Sequence, residues 1–532
     1  MKKLPLGIQN FREIIHGGYV YVDKTSYIYS LFNDAKYYFV SRPRRFGKSL
    51  LLDTISEVFS GDKELFKGLW IYNSDYEFKK YPVVRFDMSN IANETPELLK
   101  ESLAAELKML AGEEGLESEH RIPSDLFKHL IRYLYKKYNQ QVVVLIDEYD
   151  KPIIDHILDA KTAEENRNVL RGFFGILKSM DQYLRFTMFT GVSKFAKTSI
   201  FSELNNLLDI TMTKKYANIC GIGLGDLDDY FGDHIEILST LDDLQVDGGL
   251  RNKIMDWYDG YSWDGENRLI NPFSLLSFLQ QKRFSSYWYA SGTPKFLIDI
   301  IKDKPYSYLG LKNLEVSEKA MDIFDINKMD LALLLFQTGY LTVAKTIYRE
   351  GEPYYQLEIP NKEVNEAFTL QLVCELTDNS SHFVDTTKIR IMESLATGDL
   401  HGMLEILRSL FASIPYQLHV DREAYYHSIF YAVLVVLGFE MDVEVSTSRG
   451  CVDAVLELCD KVYVMEFKYS ECPPDADHDV KSKKFDSLLQ EAMSQILERG
   501  YHAKYIGGKK SIYLVAFAFF GRDNIEMRIE TY

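Results

Sequence analysis

The chain has 532 residues, 46% hydrophobic and 26% charged, with a net charge of −17. Such a composition describes a globular protein with room for about three domains. The negative charge argues against a protein that coats nucleic acid non-specifically, while leaving room for a local basic groove. The N-terminus "MKKLPLGIQNFREII" lacks the apolar core of a signal peptide, and the longest apolar runs, "AVLVVLGF" and "YLVAFAFF", are too short to span a bilayer. The five cysteines form no C-x-x-C pair, which speaks against a zinc site or a disulfide framework and for a reducing compartment. A cytoplasmic protein without membrane contact is expected.

From residue 1 to about 215, strand and helix patterns alternate. "KYYFVS" reads as a strand and "KSLLLDTISEVFSG" as a helix stopped at Gly61. "YPVVRFDMS" is a second strand, and "TPELLKESLAAELKMLAG" a helix started by Thr95–Pro96 and stopped at Gly112. "QQVVVLIDEYD" and "QYLRFTMFTGVS" follow as buried-type strands. Helices between strands imply a parallel α/β sheet. From 216 to 380 helical patterns dominate, broken by "DGYSWDG", "YASGTP" and "EGEPYYQLEIPN", as in a lid or connector. Residues 381–532 return to α/β. Paired helices lead to a helix at "DREAYYHSIFYAVLVVLGF", then to successive strands turning at Ser448–Gly450 and Asp460. A helix at "KFDSLLQEAMSQILERGYHAKY" and a final buried strand "SIYLVAFAFF" close the chain.

"RPRRFGKS" follows a strand and opens a helix, the context of a phosphate-binding loop. Gly47 lets the backbone approach phosphate, Lys48 supplies charge to the β- and γ-phosphates, and the Ser49 hydroxyl can hold Mg²⁺. Arg42 stands where such loops carry their first glycine. "VVVLIDEYD" ends a strand in two acids: Asp147 for the Mg²⁺ shell and Glu148 to activate the attacking water. Both motifs fall at strand C-termini, where open α/β sheets bind ligands. Thr190 or Ser193, in "FTGVSK", can stand near the γ-phosphate as a sensor or form an ordinary strand-end turn. Arg44 and Arg45 can touch phosphate or be solvated or packed on the sheet. Asp23 or Thr25 reads as a helix cap, with a place beside the nucleotide base as the alternative.

"YVYVDKTSYI", "SRPRRFGKSLLL", "LIDEYDKPI", "FTGVSKF", "WYDGYSWDG" with "NPFSLL", and "GTPKFLI" together resemble the bacterial AAA-ATPase-like family, whose members usually carry a C-terminal PD-(D/E)XK nuclease domain. The resemblance implies an ATPase of the AAA/STAND type that uses ATP with Mg²⁺, and it is compatible with a homo-oligomer.

The strand "VYVMEFKYS" sets Tyr463, Met465, Phe467 and Tyr469 on one face and Val462, Val464, Glu466 and Lys468 on the other. An edge strand would solvate that carboxylate and ammonium; a catalytic strand would need them. Asp453 lies thirteen residues upstream on the preceding strand, so a hairpin can bring it to the same point. Two carboxylates gather a hard divalent cation such as Mg²⁺ or Mn²⁺, and Lys468 can orient the nucleophile and offset charge. This D…E-x-K pattern resembles the PD-(D/E)XK nucleases. The resemblance further implies a metal-side helix acid at Glu423 and a helix glutamine at Gln495. Cys451 departs from the family's Gly-Arg-x-Asp, although Arg449 is close. "KSKKF" and "GGKK" are candidate backbone contacts for DNA or RNA, or simply solvated loops.

The expected architecture is therefore α/β: a P-loop NTPase parallel sheet at 1–215, a mainly helical lid or connector at 216–380, and a restriction-endonuclease-like α/β domain at 381–532. Two functions are compatible with it. One is an ATPase coupled to a metal-dependent nuclease. The other is a nucleotide-switched binding protein whose nuclease fold is inert.

Overall fold

The computed structural model describes residues 1–194, 200–201, 204, 206–245, 248–292, 314–322, 331–377, 379–412, 441–447, 450–458, 460–470, 477–506, 510–520 and 524–531. The chain packs as two compact units, one built from Met1–Gly292 and Asn313–Glu363 and the other from Val364–Tyr532.

The first unit is organised by a five-stranded sheet of β1 (Tyr37–Ser41), β2 (Val83–Asp87), β3 (Val142–Asp147), β4 (Leu184–Gly191) and β5 (Leu207–Asp209), in the order β2-β3-β4-β1-β5. Every pairing is parallel. β1 and β3 are buried along their whole length, as their unbroken apolar runs require in a sheet covered on both faces. One face packs Phe86, Val144 and Ile146 against Phe127, Leu170 and Phe173 from the helices Pro123–Tyr138 and Ala160–Ser179. Register sets Ser41 beside Gly191 and Asp87 beside Asp147, so the C-terminal strand ends share one edge. The helix Pro96–Glu113 begins as expected, with the Thr95 side chain accepting from the Leu98 N–H. It runs past Gly112 by one residue and is stopped by Gly115 at φ 74° instead.

The helices Leu224–Ser239, Leu250–Tyr258 and Pro272–Gln281 enclose a second core around Phe231, Ile254, Tyr258, Leu275 and Phe278. β6 (Ile222–Gly223) and β7 (Leu269–Ile270) pair beside it. This mainly helical stretch also carries a three-stranded antiparallel sheet of β8 (Leu314–Ser317), β9 (Thr342–Arg349) and β10 (Glu352–Glu358), in the order β8-β10-β9. "EGEPYYQLEIPN", expected to be a break, is therefore half of a hairpin. Its Glu350 and Gly351 take φ 52° and 84° in a two-residue turn. Pro353 pairs with β9 but lies outside the run paired with β8, so its missing N–H costs no ladder bond there.

In the second unit the helices Ser381–Thr397 and Leu400–Ala412 are paired in sequence as expected. The sheet runs β11 (Met441–Thr447), β12 (Gly450–Glu457), β13 (Lys461–Ser470), β14 (Ser511–Phe520) and β15 (Asn524–Thr531) in chain order. β13 and β14 are parallel, joined through the helix His478–Arg499; the other pairs are antiparallel. "SIYLVAFAFF" is thus not the final strand, because β15 covers its outer edge. The helix face of the sheet buries Val462, Val464, Leu514 and Ala516 against Leu489, Ala492 and Ile496. On the other face the Tyr463 hydroxyl donates to the Leu395 carbonyl, and Phe519 meets Phe411. The expected helix at "DREAYYHSIFYAVLVVLGF", and Glu423 on it, lie outside the described residues. No helix among the described residues is long and apolar enough to cross a membrane.

Candidate functional site

The loop between β1 and the helix Lys48–Ser60 follows the strand edge, and two of its residues have positive φ: Arg45 at 65° and Gly47 at 91°. A cleft opens there, lined by Arg44, Arg45, Lys48, Ser49, Glu148 and Lys151 on its polar side. Lys48 is buried, and its Nζ donates to the Arg42 and Pro43 carbonyls at 2.9 and 3.0 Å. The ammonium therefore rests on the loop's own backbone, within a side chain's swing of the cleft.

Arg42 does not line the cleft. It is fully buried and turned away, with Nη1 donating to the Ser41 and Thr211 carbonyls and Nη2 to the Ala217 carbonyl. Its guanidinium lies 4.0 Å from the ring centre of Trp263. Burial lowers its pKa to about 10, which leaves it charged at neutral pH. A side chain at the position of the usual first glycine thus pins the loop from behind and leaves the cleft side clear.

At the end of β3, Asp147 is buried and its Oδ1 accepts from the Thr190 hydroxyl and from the Glu148 N–H at 3.1 Å. Glu148 has φ 49° and faces the cleft. Burial raises its pKa, while the Lys48 and Arg44 charges act against that rise. Ser193 is fully buried, and its N–H and hydroxyl both donate to Asp150 Oδ2 at 2.6 Å. Of the two sensor candidates, Thr190 therefore joins Asp147, whereas Ser193 serves Asp150. The N-cap of the helix Thr25–Asp34 is Lys24, without a side-chain cap bond; Asp23, one residue earlier, accepts from the Thr25 N–H and hydroxyl and also from the Trp70 N–H.

An apolar pocket adjoins the cleft and shares Phe46, Gly47, Leu50 and Pro272 with it. Val20, Val22, Ile219, Ile222, Phe231 and Leu276 supply its walls. These residues, and Lys151 at the polar end, escaped the sequence reading. Lys151 was visible three residues after Glu148 in "DEYDKP". The pocket residues carry no signal of their own, because ordinary apolar side chains become a wall only when distant segments meet.

In the second unit, β13 lies in the middle of its sheet, so its charges are not those of an edge strand. Glu466 is fully buried on the helix face. The β12–β13 pairing ends with Ala454 opposite Met465, one step before Asp453 and Glu466. The Asp453 N–H donates to Glu466 Oε2 at 3.4 Å, and Asp453 Oδ2 accepts from the Phe467 N–H at 2.8 Å. Lys468 Nζ stands 3.5 Å from Glu466 Oε1, and the Gln495 amide, reaching from the helix His478–Arg499, donates to the same oxygen. Burial first, then the Asp453 charge, raises the Glu466 pKa to about 7, against the pull of Lys468. The structure thus brings Asp453, Glu466, Lys468 and Gln495 together. Lys483 and Ser487 border a shallow polar groove on that helix, while Lys510 is paired with Glu457 at 2.9 Å and residues 507–509 of the same stretch lie outside the described residues.

Residues 5–201 match the family described as "Predicted AAA-ATPase", and residues 421–528 match the "PD-(D/E)XK nuclease superfamily". A protein of Azotobacter chroococcum mcd 1, described as an uncharacterized protein in the vnfD 5′ region, is 33% identical over 98% of this chain and 97% of its own length. The chain belongs to the AAA-ATPase-like family, in its form with a C-terminal PD-(D/E)XK nuclease domain. The P-loop-type sheet, the helical middle and the mixed C-terminal sheet agree with that membership. The solved structure of the Aeropyrum pernix ORC2 protein (ADPNP-ADP complexes) aligns over 68% of this chain and 98% of that one, at 12% identity and a TM-score of 0.28, too distant a likeness to argue from.

Proposed function

We propose that this AAA-ATPase-like chain binds and hydrolyses ATP in the first unit and cleaves phosphodiester bonds of nucleic acid, with a divalent metal, in the second. The observation that carries the nuclease reading is the burial of Glu466 beside Asp453 on a central strand. Two neighbouring carboxylates in a low-dielectric site repel one another unless a cation or a proton intervenes.

The polar cleft and the adjoining apolar pocket suit a nucleotide, with phosphates toward Lys48, Arg44 and Arg45 and the base among the apolar walls. Asp147 commits Oδ1 to Thr190 and the Glu148 N–H, and Ser49 borders the cleft, so Asp147 Oδ2 and the Ser49 hydroxyl fit a Mg²⁺ that would come with the nucleotide. Glu148, its proton affinity raised by burial, would take the proton of an attacking water. In the second unit Asp453 and Glu466 fit a Mg²⁺ or Mn²⁺, with Glu423 as a further ligand offered by the family resemblance. The metal would acidify a water and stabilise charge at phosphorus. Lys468 would hold that water, and Gln495 would orient Glu466. DNA or RNA would approach along a local basic groove; Lys483 is a candidate contact, although the groove it borders also carries Asp486 and Glu491. In this reading 1–215 binds nucleotide, 216–380 acts as lid and connector, and 381–532 cuts, in the cytoplasm and with a homo-oligomer as a compatible assembly.

A second reading has one observation in its favour. The Gln495 amide and the Phe467 N–H already satisfy oxygens of both carboxylates, as in an inert fold kept for binding. Incubating the purified protein with DNA and RNA substrates, with and without ATP and Mg²⁺ or Mn²⁺, separates the two. Metal-dependent cutting supports the nuclease, and nucleotide-dependent assembly without cutting supports the binding protein.

A further inference from the structure

Three successive carbonyls of the phosphate-binding loop are occupied. Those of Arg42 and Pro43 hold Lys48. That of Arg44 accepts from the indole Nε1–H of Trp288 at 3.0 Å. Trp288 is buried and sits edge-on to Tyr340. Gly339, at φ 92°, packs so closely that a Cβ there would lie 2.7 Å from Pro43 Cγ and 3.2 Å from the Trp288 ring. Lys48 has to leave its two carbonyls to reach a phosphate. The Trp288 bond then remains, beside the Arg42 anchor, as the tie on the loop's Arg44 carbonyl.

Trp288 is itself held by Glu363. Its backbone N–H donates to Glu363 Oε1 at 2.7 Å, and the Ser286 hydroxyl donates to the Glu363 carbonyl at 3.3 Å. Glu363 is fully buried, and its Oε2 closes no hydrogen bond among the described residues although the Ser274 hydroxyl is near. An incompletely satisfied buried carboxylate is costly, so its place against Trp288 calls for a reason. The motif "WYDGYSWDG" closes on the same point from the other side. Trp263 receives Arg42 on its face and Phe46 at its edge, and Gly260, at φ 108°, packs so tightly that a Cβ there would lie 2.0 Å from the Pro360 carbonyl oxygen. Both routes from the loop therefore end at Pro360–Glu363, where the helix Lys362–Thr377 begins.

We propose that Trp288 is a positioning residue for the phosphate-binding loop, seated by Glu363, and that the pair links nucleotide occupancy to the root of the helix Lys362–Thr377. The proposal rests on the nucleotide reading of the cleft. When Lys48 turns to phosphate, the freed loop settles about the Arg44 tie, and the shift passes through the indole to the residue that opens the helix.

The test measures Mg·ATP affinity by calorimetry and backbone hydrogen exchange at residues 362–371 in the full chain. Trp288→Phe keeps a ring and loses the N–H. It is expected to weaken ATP about threefold to tenfold, the size of one neutral hydrogen bond. Glu363→Ala does the same, and Glu363→Gln, which keeps an acceptor for the Trp288 N–H, restores binding; a merely structural role would not be rescued in that way. ATP changes exchange at 362–371 in the wild type and in Glu363→Gln, and leaves it unchanged in Trp288→Phe. Wild-type affinity and exchange response in Trp288→Phe would overturn the inference and leave the nucleotide reading standing. A wild type that binds no ATP would overturn the nucleotide reading itself. If Glu363→Ala does not fold, Trp288→Phe and Glu363→Gln decide the matter.

Discussion

In the first unit the charged residues stand on a loop and at strand ends, around a cleft that a ligand can enter. In the second, Glu466 lies in the middle of a five-stranded sheet, and its partners reach it from the next strand and a crossing helix. The difference is one of preorganisation. Lys48 rests on carbonyls that it must leave to meet a phosphate, so under the proposed reading the first site changes shape when occupied. The Asp453 and Glu466 carboxylates are each already held by a backbone N–H of the neighbouring strand and have less freedom to move. Substitutions should therefore act through binding in the first site and through chemistry in the second.

The sharpest check on the loop side is Lys48→Ala. Removing the charge that faces the phosphates should abolish measurable ATP binding in calorimetry, whereas Glu148→Gln should keep binding and lose turnover by about 10²–10⁴. Equal ATP affinity in the wild type and Lys48→Ala would break the comparison at its first term. Next in size is Arg42. Arg42→Ala leaves three carbonyl acceptors without their donor and a gap against Trp263, so it should cost about 2–4 kcal/mol of stability in denaturant unfolding. Arg42→Gly, which restores the usual loop glycine, should destabilise as well and bring no gain in ATP affinity.

Much of this was legible in the sequence where the signal is local. The loop, Lys48 and the acids after β3 could be placed because strand, turn and helix grammar is written in adjacent residues. Asp453, Glu466 and Lys468 could be placed because strand alternation and one hairpin fix their faces. The apolar pocket could not be read, because Val20, Ile219, Phe231 and Pro272 meet only after folding. The part played by Arg42 was hidden for the same reason: two of its three acceptors lie 169 and 175 residues away in sequence. The β9–β10 hairpin was concealed by Gly351 and Pro353, which look like breakers until the turn and the unpaired side of Pro353 are seen.

A smaller effect concerns pH. Burial lifts the Glu363 pKa from 4.5 to about 7, so the folded protein keeps a proton that the unfolded chain releases. The resulting stabilisation is full below about pH 4.5 and is lost as the pH rises through about 7. Unfolding followed over that window should show a downward slope in the wild type, to which Glu466 also contributes, and Glu363→Gln should make it shallower. A slope that is the same in both would remove Glu363 as its source. Smallest is the surface. Lys483→Ala should change stability by less than about 0.5 kcal/mol, and it should weaken nucleic-acid binding modestly, most visibly at low salt.

The central claim is that buried Glu466 and half-buried Asp453 of the second unit hold a metal that does chemistry. The measurement that meets it most directly is a cleavage assay on DNA and RNA, with ATP present, across Mg²⁺, Mn²⁺ and Ca²⁺, for the wild type, Asp453→Ala, Glu466→Ala and Lys468→Ala. The account predicts cutting by the wild type with Mg²⁺ or Mn²⁺ and little with Ca²⁺, whose looser geometry acidifies water less well. It predicts joint loss of metal binding and cutting in the two carboxylate variants. For Lys468→Ala it predicts largely retained metal binding with a rate lower by about 10²–10³. A wild type that cuts no substrate with any of the three metals would contradict the account and leave the second unit a nuclease in fold alone.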